Sequence, residues 1–267
     1  MINIRKLRQW LSVKTVQSWL WLAALLTVWE VSSRLGWINN FLLPPFSQVV
    51  LNSIKQILMG DLGRQTFNSL LIIIEGIAIS LVGAVIVSLL SSWLTPIETL
   101  FTTLSTVFDP LPAIALMPLI ILWFGISTGA ILTIVVHSVF WSLVRHLLDG
   151  IRAIPKVYYE WCDNIELSPL RKFSGMMFYA VLPELIVGVR MGWGRAWRAL
   201  LSAEMVFGVI GSLGGIGYYI YNARAYSNIT NVMSGVVIIV IVGIIIESFL
   251  FTQLEKYTIR RWGMIRE

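Results

Sequence analysis

Long apolar runs alternate with short polar stretches along the chain, and this pattern predicts membrane-spanning helices. A helix that crosses the hydrocarbon core of a bilayer needs about 20 mostly apolar residues, and about six runs have that length. They cover residues 19–35, 66–93, 97–124, 129–148, 184–210 and 232–251. The pattern therefore predicts an all-α polytopic membrane protein that forms a single transmembrane domain over residues 1–267.

The longest polar interruption, residues 155–183, predicts a helical loop between the fourth and fifth runs. Trp161, Cys162 and Ile165 recur at helical spacing, so we expect them to share one apolar face of a short first helix. Such a face is typical of a docking surface. An ordinary loop that lies on the membrane surface has the same pattern.

A second short helix is expected in the same loop. Ser168 is a preferred N-cap residue, and Pro169 suits the first helical position that follows it. The helix is expected to begin there and to run until Pro183 interrupts it.

The third apolar run contains the residues least compatible with a continuous helix. Three prolines and an aspartate fall within ten residues, at Asp109, Pro110, Pro112 and Pro118. Backbone carbonyls left free inside a membrane are tolerated where protein or a water-filled cavity receives them. The segment is therefore expected either to line a solute path or to form a proline kink that only shapes helix packing.

The fifth run carries charges that a bilayer does not accommodate without compensation. Arg195 and Arg198 are three residues apart, so they share a helix face, whereas Glu204 lies on another face and needs a partner from another helix. The arginines could attract an anionic solute. Alternatively, Arg190 and Arg195 lie near a membrane boundary and extend their charged ends into water.

Composition agrees with a membrane protein and excludes a large soluble domain. Of the 267 residues, 57% are hydrophobic and 13% are charged, and the mean hydropathy is +0.80. Soluble domains have about 25% charged residues. The net charge of +6 could indicate nucleic-acid binding, but the basic residues lie beside apolar runs, as the positive-inside rule describes.

The distribution of basic residues predicts the orientation. With six spans, both termini lie on one side of the membrane. That side also collects Arg145, Arg152, Lys156, Arg171 and Lys172, together with the basic chain ends. The opposite side keeps Arg34, Lys55, Arg64 and Arg224. We therefore expect cytoplasmic N- and C-termini and a cytoplasmic central loop.

Candidate catalytic and metal-binding groups are sparse in the sequence. Cys162 is the single cysteine, and His137 and His146 have no carboxylate at ligand spacing. His137 is expected to be a packed or path-facing polar residue rather than a metal ligand. The sequence has no Gly-rich phosphate-binding loop. No catalytic residue, metal or cofactor is predicted, and a nucleic-acid partner is not expected.

The central loop resembles the EAA loop of ABC importer permeases, which has Glu-Ala-Ala, three residues, Gly and a distal Leu-Pro. Glu160 stands at the glutamate position, and Leu182–Pro183 stands at the distal Leu-Pro. Trp161 and Cys162 replace the two alanines, and Glu166 replaces the glycine. Glu166 must therefore make the turn with a side chain, and Trp161 requires a wider groove on the partner than alanine does.

Two further segments extend the resemblance over nearly the whole chain. Residues 110–126 (PLPAIALMPLIILWFGI) and 188–205 (GVRMGWGRAWRALLSAEM) are similar to permeases for nitrate, sulfonates and taurine. That family carries anions, but also neutral and cationic vitamin precursors, so the sequence does not identify the solute.

The resemblance implies two sets of functional residues. The set expected to couple the chain to an ATPase is Glu160, Trp161, Cys162, Ile165, Ser168, Pro169 and Leu170. The set expected along the translocation path is Asp109, Pro110, Pro112, Pro118, Arg195, Arg198 and Glu204.

The resemblance also implies partners and a location. A second permease copy is expected to complete the path, two cytoplasmic ATPase subunits to dock at the central loops, and an external solute-binding protein to deliver the solute. ATP hydrolysis would then occur on a separate chain, and this chain would be a multi-pass protein of the bacterial inner membrane.

Two other functions remain possible at this point. In a secondary transporter driven by an ion gradient, Glu75, Asp109 and Glu204 would be ion or proton sites. Such a carrier does not need a docking loop. A membrane-embedded enzyme would need clustered histidines or carboxylates near one membrane boundary, and the sequence does not show such a cluster.

Overall fold

The computed structural model describes residues 13–208 and 214–257, and every regular element within them is helical. The predicted all-α class is therefore confirmed. The helices, in chain order, are α1 (Val13–Arg34), α2 (Phe46–Leu58), α3 (Leu62–Trp93), α4 (Thr95–Phe108), α5 (Met117–Phe124), α6 (Thr128–Arg152), α7 (Lys156–Asn164), α8 (Pro169–Lys172), α9 (Phe178–Phe207), α10 (Ile216–Ala225), α11 (Ile229–Ile245) and α12 (Thr252–Tyr257). Two π-helical segments, Phe173–Met177 and Ile246–Phe251, lead into α9 and α12.

Four described helical stretches are long and apolar enough to cross a membrane. They are Leu62–Trp93, Thr128–Arg152, Phe173–Phe207 and Ile229–Leu254. Thr95–Phe108 and Ala113–Phe124 count as a fifth if the bent pair is one span. Helix α1 covers the first predicted span and has 22 residues, but it is not among these stretches. The basic N-terminal residues 1–12, the Gly-rich residues 209–213 and the basic tail 258–267 lie outside the described residues.

Helix α6 forms the centre of the core and packs between α3 and α9. Small residues permit this close approach. A Cβ atom on Gly76 of α3 would lie 2.5 Å from a methyl carbon of Val135 on α6, so only glycine fits there. Ile73, Ile134 and Leu143 are fully buried around this contact. Close packing by small residues is the usual way in which helices associate inside a bilayer.

The periphery is attached to this core through polar contacts. The Glu30 carboxylate of α1 accepts hydrogen bonds from the Ser47 amide (3.0 Å) and hydroxyl (2.8 Å), in the first turn of α2. Helix α2 then reaches α11, where the Asn52 amide nitrogen lies 2.7 Å from Asn231 Oδ1 and 2.9 Å from Ser234 Oγ. The loop between the first two predicted spans is thus a defined helix that ties α1 and α11 together.

The expectation that Pro183 interrupts the second loop helix is wrong. Pro183 lies inside α9, which continues without a break from Phe178 to Phe207. A proline removes only one backbone donor from a helix, and membrane helices tolerate this when neighbouring groups receive the freed carbonyl. The loop helix α8 therefore joins the fifth span through a continuous run of helical segments.

Candidate functional site

The third predicted span is broken at the prolines, and this break creates the candidate site. The helical segments on its two sides, Thr95–Phe108 and Ala113–Phe124, make an angle of 91°. Pro110 and Pro112 have no amide hydrogen to donate, and Pro112 is extended at φ −60°, ψ 123°. The chain resumes with the Ala115 amide donating to the Pro112 carbonyl (2.9 Å). Pro118 lies in the first turn of α5, where proline is well tolerated.

Asp109 lies at the break and is held by two arginines from other helices. Its side chain is 11% exposed, and its carboxylate accepts a hydrogen bond from the Arg195 guanidinium of α9. The Arg145 guanidinium of α6 lies 3.5 Å from the other carboxylate oxygen. One carboxylate therefore links the break to both central helices. This arrangement meets the requirement that intramembrane charges be paired.

A cavity of about 280 Å³ opens beside this ion-pair cluster. It is lined by Asp109, Pro110, Leu111, Pro112, Ala113, Ile114, His137, Ser138, Arg195, Arg198, Ala199 and Ser202. Arg195 and Arg198 thus face the same space, as their spacing predicted. Among the described residues the Arg198 guanidinium has no ion-pair partner, so no carboxylate neutralises its charge at the cavity.

His137 is a further polar group at this cavity. Its ring packs edge-on against Phe108, with 6.2 Å between ring centroids. Both ring nitrogens are buried and have no hydrogen-bond partner among the described residues. The prediction of a packed or path-facing histidine agrees with this position. The sequence did not reveal that His137 and Arg145 join the same cluster, because α6 brings them together only through packing.

Glu204 does not line this cavity. It is 2% exposed, and its carboxylate accepts hydrogen bonds from the Ser69 hydroxyl of α3 (2.7 Å) and the Gly217 amide at the start of α10 (2.8 Å). The expectation of a partner on another helix is confirmed. The carboxylate also lies at the positive end of the α10 dipole. Its hydrogen bonds link α9 to α3 and α10, and it is not among the residues that line the cavity.

Arg190 is paired rather than only extended into water. Its guanidinium lies 2.6–2.7 Å from the Glu247 carboxylate in the π-helical segment that follows α11. The pair joins the fifth and the last span, and it lies outside the cavity lining.

The central loop forms two short helices, as predicted, but its apolar face differs from the prediction. Trp161 and Ile165 are 57% and 48% exposed, and Glu160 is also exposed. Cys162 is fully buried, so the expectation that it shares an exposed face with them is wrong. Successive helical residues point about 100° apart, and α7 rests on the protein through Cys162. The Leu170 side chain lies outside the described residues.

The turn between the two loop helices has a left-handed residue at Glu166, with φ 51°. The Leu167 amide donates to the Cys162 carbonyl and the Glu166 amide to the Asp163 carbonyl, both at 3.0 Å. These two bonds define a Schellman C-cap, in which the left-handed position is usually glycine. Helix α8 then begins at Pro169, as predicted, and the Lys172 ammonium pairs with Asp163 across the turn.

Comparison with known proteins decides the family. Residues 76–262 match the family model of the binding-protein-dependent transport system inner membrane component. The chain belongs to this family. It is thus the membrane-spanning permease subunit of a binding-protein-dependent ABC importer, in a family that works with ATPase and solute-binding partners.

Individual relatives in this family support the same assignment. The chain is 28% identical over 244 residues to the putative aliphatic sulfonates transport permease protein of Bacillus subtilis, covering 90% of this chain and 85% of that protein. It is 25% identical over 232 residues to the taurine transport system permease protein of Escherichia coli (85% and 82%). It is 26% identical over 252 residues to the nitrate import permease protein of Synechocystis (90% and 88%).

Proposed function

We propose that the cavity beside Asp109 forms part of the solute path of this importer permease. The observation that carries the proposal is the right-angled break, which brings Asp109, Arg195 and Arg198 to one space inside an apolar helix bundle. Irregular backbone at membrane depth is tolerated where it lines a cavity. A second copy of the chain would complete the path, as is expected of a permease of this family.

The charge of the cavity favours an anionic solute. Asp109 is already shared between Arg195 and Arg145, and Arg198 adds a cation without an ion-pair partner among the described residues. The site therefore has an excess of positive charge. A small organic or inorganic anion of the class named for the sulfonate, taurine and nitrate relatives would complement it.

The loop at residues 155–183 is the proposed docking element for the ATPase subunits. Helix α7 and its C-cap residue present the Glu160 carboxylate and the exposed apolar side chains of Trp161 and Ile165. Such a helix suits a groove on a partner. Ser168 and Pro169 would continue the surface into α8. Cys162, on the buried side of α7, would pack this helix against the rest of the protein.

The orientation follows from the basic residues, with cytoplasmic termini and α1 as a further span. ATP binding and hydrolysis on the two partner subunits would then act on the loop from the cytoplasm. Because α8 continues into α9 through the π-helical segment, loop movement would reach Arg195 and Arg198 directly. The side of the membrane to which the path opens can change only if the ATPase subunits bind the two conformations of the permease with different affinity.

Reconstitution in vesicles tests the proposed function. The chain is incorporated with its ATPase subunits, and uptake of sulfonate, taurine or nitrate is measured with the solute-binding protein and enclosed or external ATP. We expect uptake only when ATP, ATPase and binding protein are all present. Uptake that is driven by an imposed ion gradient without the ATPase would instead identify a secondary transporter.

A further inference from the structure

Helix α4 connects the loop end of the bundle to the break at Asp109, and it has few buried residues. Ser105 is the one buried residue of α4, all of which the structure describes. Phe101 and Phe108 are partly buried, and the Phe108 ring stacks on Trp141 of α6 with 5.0 Å between ring centroids. Polar contacts therefore contribute much of what positions this helix.

Two arginines of α6 make those polar contacts, one at each end of α4. Arg152 Nε donates to Glu98 Oε1 and Arg152 Nη2 donates to Thr102 Oγ1, both at 2.8 Å. Arg145 Nη1 lies 3.5 Å from the Asp109 carboxylate. The two arginines are seven residues apart, and so are Thr102 and Asp109, which places each pair on one face of its helix about two turns apart. The two helices are thus held in register at both ends of α4.

The space between these two contacts is polar. It is a narrow cavity of about 110 Å³, lined by Thr102, Ser105, Thr106, Arg145, Leu148, Asp149 and Arg152. The contact between α3 and α6 is different, because Gly76 packs directly on the Val135 side chain there. The position of α4 against α6 therefore depends on the directional bonds of two guanidinium groups more than on close packing.

Arg152 is also the last residue of α6, directly before the central loop. Ile154 follows it and is buried, and α7 begins at Lys156. An open cavity of about 560 Å³ lies between the first turn of α4 and the loop helix α8, and Arg152 reaches along its wall from α6 to α4. The loop thus has two connections with the break, one through α9 and Arg195 and the other through Arg152 and α4.

We propose that Arg152 is a positioning residue for ATP-driven transport, which makes α4 and the broken third span follow the central loop. This inference rests on the proposed docking of the ATPase subunits at that loop. Arg152 does not line the cavity beside Asp109, so it acts through α4. When the loop moves, Arg152 moves with it, and its two hydrogen bonds carry the first turns of α4 along. Because α4 leads directly to Asp109, the break then shifts relative to Arg195 on α9.

Uptake and ATP hydrolysis measured in the same vesicles test this role. The full-length chain is reconstituted with its ATPase subunits and solute-binding protein, and the solute imported per ATP hydrolysed is determined with the sulfonate, taurine or nitrate that the wild type imports. We expect this ratio to fall about three- to tenfold in Arg152→Gln and in Glu98→Gln, which break the contact from either side. Co-purification of the ATPase stays at the wild-type level. The double variant Arg152→Glu/Glu98→Arg, which exchanges the two charges, recovers part of the ratio.

Asp149→Asn is the matched control. The Asp149 carboxylate lies 3.6 Å from Arg152 Nη1, but it belongs to the same helix and so does not connect α6 to α4. This variant removes a charge beside Arg152 and leaves the bonds to Glu98 and Thr102 in place. It should therefore keep the wild-type ratio.

Three results overturn the inference. The first is a wild-type ratio in both Arg152→Gln and Glu98→Gln. The second is an equal loss in Asp149→Asn, which would assign the effect to local charge. The third is a parallel fall of uptake, hydrolysis and thermal midpoint at a constant ratio, because Arg152 would then only stabilise the fold. A wild-type importer that hydrolyses ATP without any ATP-dependent uptake would instead refute the proposed function.

Discussion

The Arg195 guanidinium of α9 donates a hydrogen bond to the Asp109 carboxylate, at the point where the third span breaks. The pair joins a segment that proline prevents from being helical to the helix that continues from the central loop. Movement of α9 must therefore either carry the break with it or separate the two charges. This makes the pair the most direct physical connection between the loop and the cavity.

Asp109→Asn is expected to lower uptake about tenfold or more while the protein still inserts. The substitution leaves Arg195 and Arg145 without their shared counter-charge, and a change of about 1.4 kcal/mol in differential binding already gives a tenfold effect. Both arginines are partly exposed, so water limits the loss of stability. Initial uptake rates in reconstituted vesicles, normalised to inserted protein, provide the measurement.

Asp61→Asn is the matched control for this prediction. Asp61 pairs with Arg64 at 3.0 Å, but both side chains are more than 60% exposed, and the pair lies away from the cavity. Exposed pairs of this kind contribute about 0–1 kcal/mol. Uptake should be unchanged. Equal uptake by Asp109→Asn and Asp61→Asn would show that the Asp109 cluster has no part in transport.

The sequence predicted the elements of this fold better than their contacts. Apolar runs place helices, and prolines at Pro110 and Pro112 forbid a continuous third span, because both effects are local. The i, i+3 spacing likewise placed Arg195 and Arg198 on one face. Which helix supplies the partner of Asp109 depends on packing between α6 and α9, and periodicity carries no information on that.

The same limit explains the two errors in the loop. Helical spacing does not show which side of a short helix packs against the rest of the protein. The prediction therefore places Cys162 on the exposed face, whereas the structure buries it. A proline such as Pro183 leaves the carbonyl of the preceding helical turn without its amide donor. The helix continues when protein groups or water bond to that carbonyl instead, and this depends on the tertiary surroundings. By contrast, the left-handed turn at Glu166 could be expected from the glycine of the EAA pattern, since that position of the C-cap requires φ > 0.

Glu204→Ala is expected to lower stability rather than uptake per folded molecule. The substitution removes the acceptor for the Ser69 hydroxyl and the Gly217 amide, and bonds to a charged group contribute about 1.5–3 kcal/mol each. The thermal midpoint of the purified chain should fall clearly, and Glu204→Gln should fall less because it keeps one acceptor. A variant that folds at the wild-type midpoint yet does not transport would place Glu204 on the path instead.

Glu160→Ala is expected to leave insertion and expression intact and to weaken docking of the ATPase. The Glu160 side chain is exposed on α7, so its removal weakens contacts with a partner rather than the packing of the permease. A truncated charge pair costs about 2–5 kcal/mol if the pair is buried in the interface. Co-purification of the ATPase and coupled uptake are measured together. The control is Asp61→Ala, which removes an exposed carboxylate just before α3 begins. Wild-type docking and uptake in Glu160→Ala would exclude Glu160 from coupling.

Glu166→Gly is expected to stabilise the loop. A non-glycine residue in the left-handed region costs about 1 kcal/mol, and glycine removes that cost. For a chain of this size the thermal midpoint should rise by about 2–4 °C. Glu160→Gly, in the helical interior of α7, should instead lower stability by about 1 kcal/mol. A fall in the midpoint of Glu166→Gly would mean that the Glu166 side chain makes a contact that outweighs the backbone strain.

Thiol accessibility at the broken span tests most directly whether this cavity is the solute path. In a Cys162→Ala background, Leu111→Cys and Ile114→Cys face the cavity, whereas Leu122→Cys lies on an apolar surface of α5 and is 78% exposed. Labelling by a membrane-impermeant thiol reagent is followed in vesicles that contain the complete importer, with and without ATP. We predict that the two cavity cysteines react, that their rates change with ATP, and that Leu122→Cys stays protected by lipid. Protection of all three positions in both states would contradict the assignment of the cavity to the translocation path.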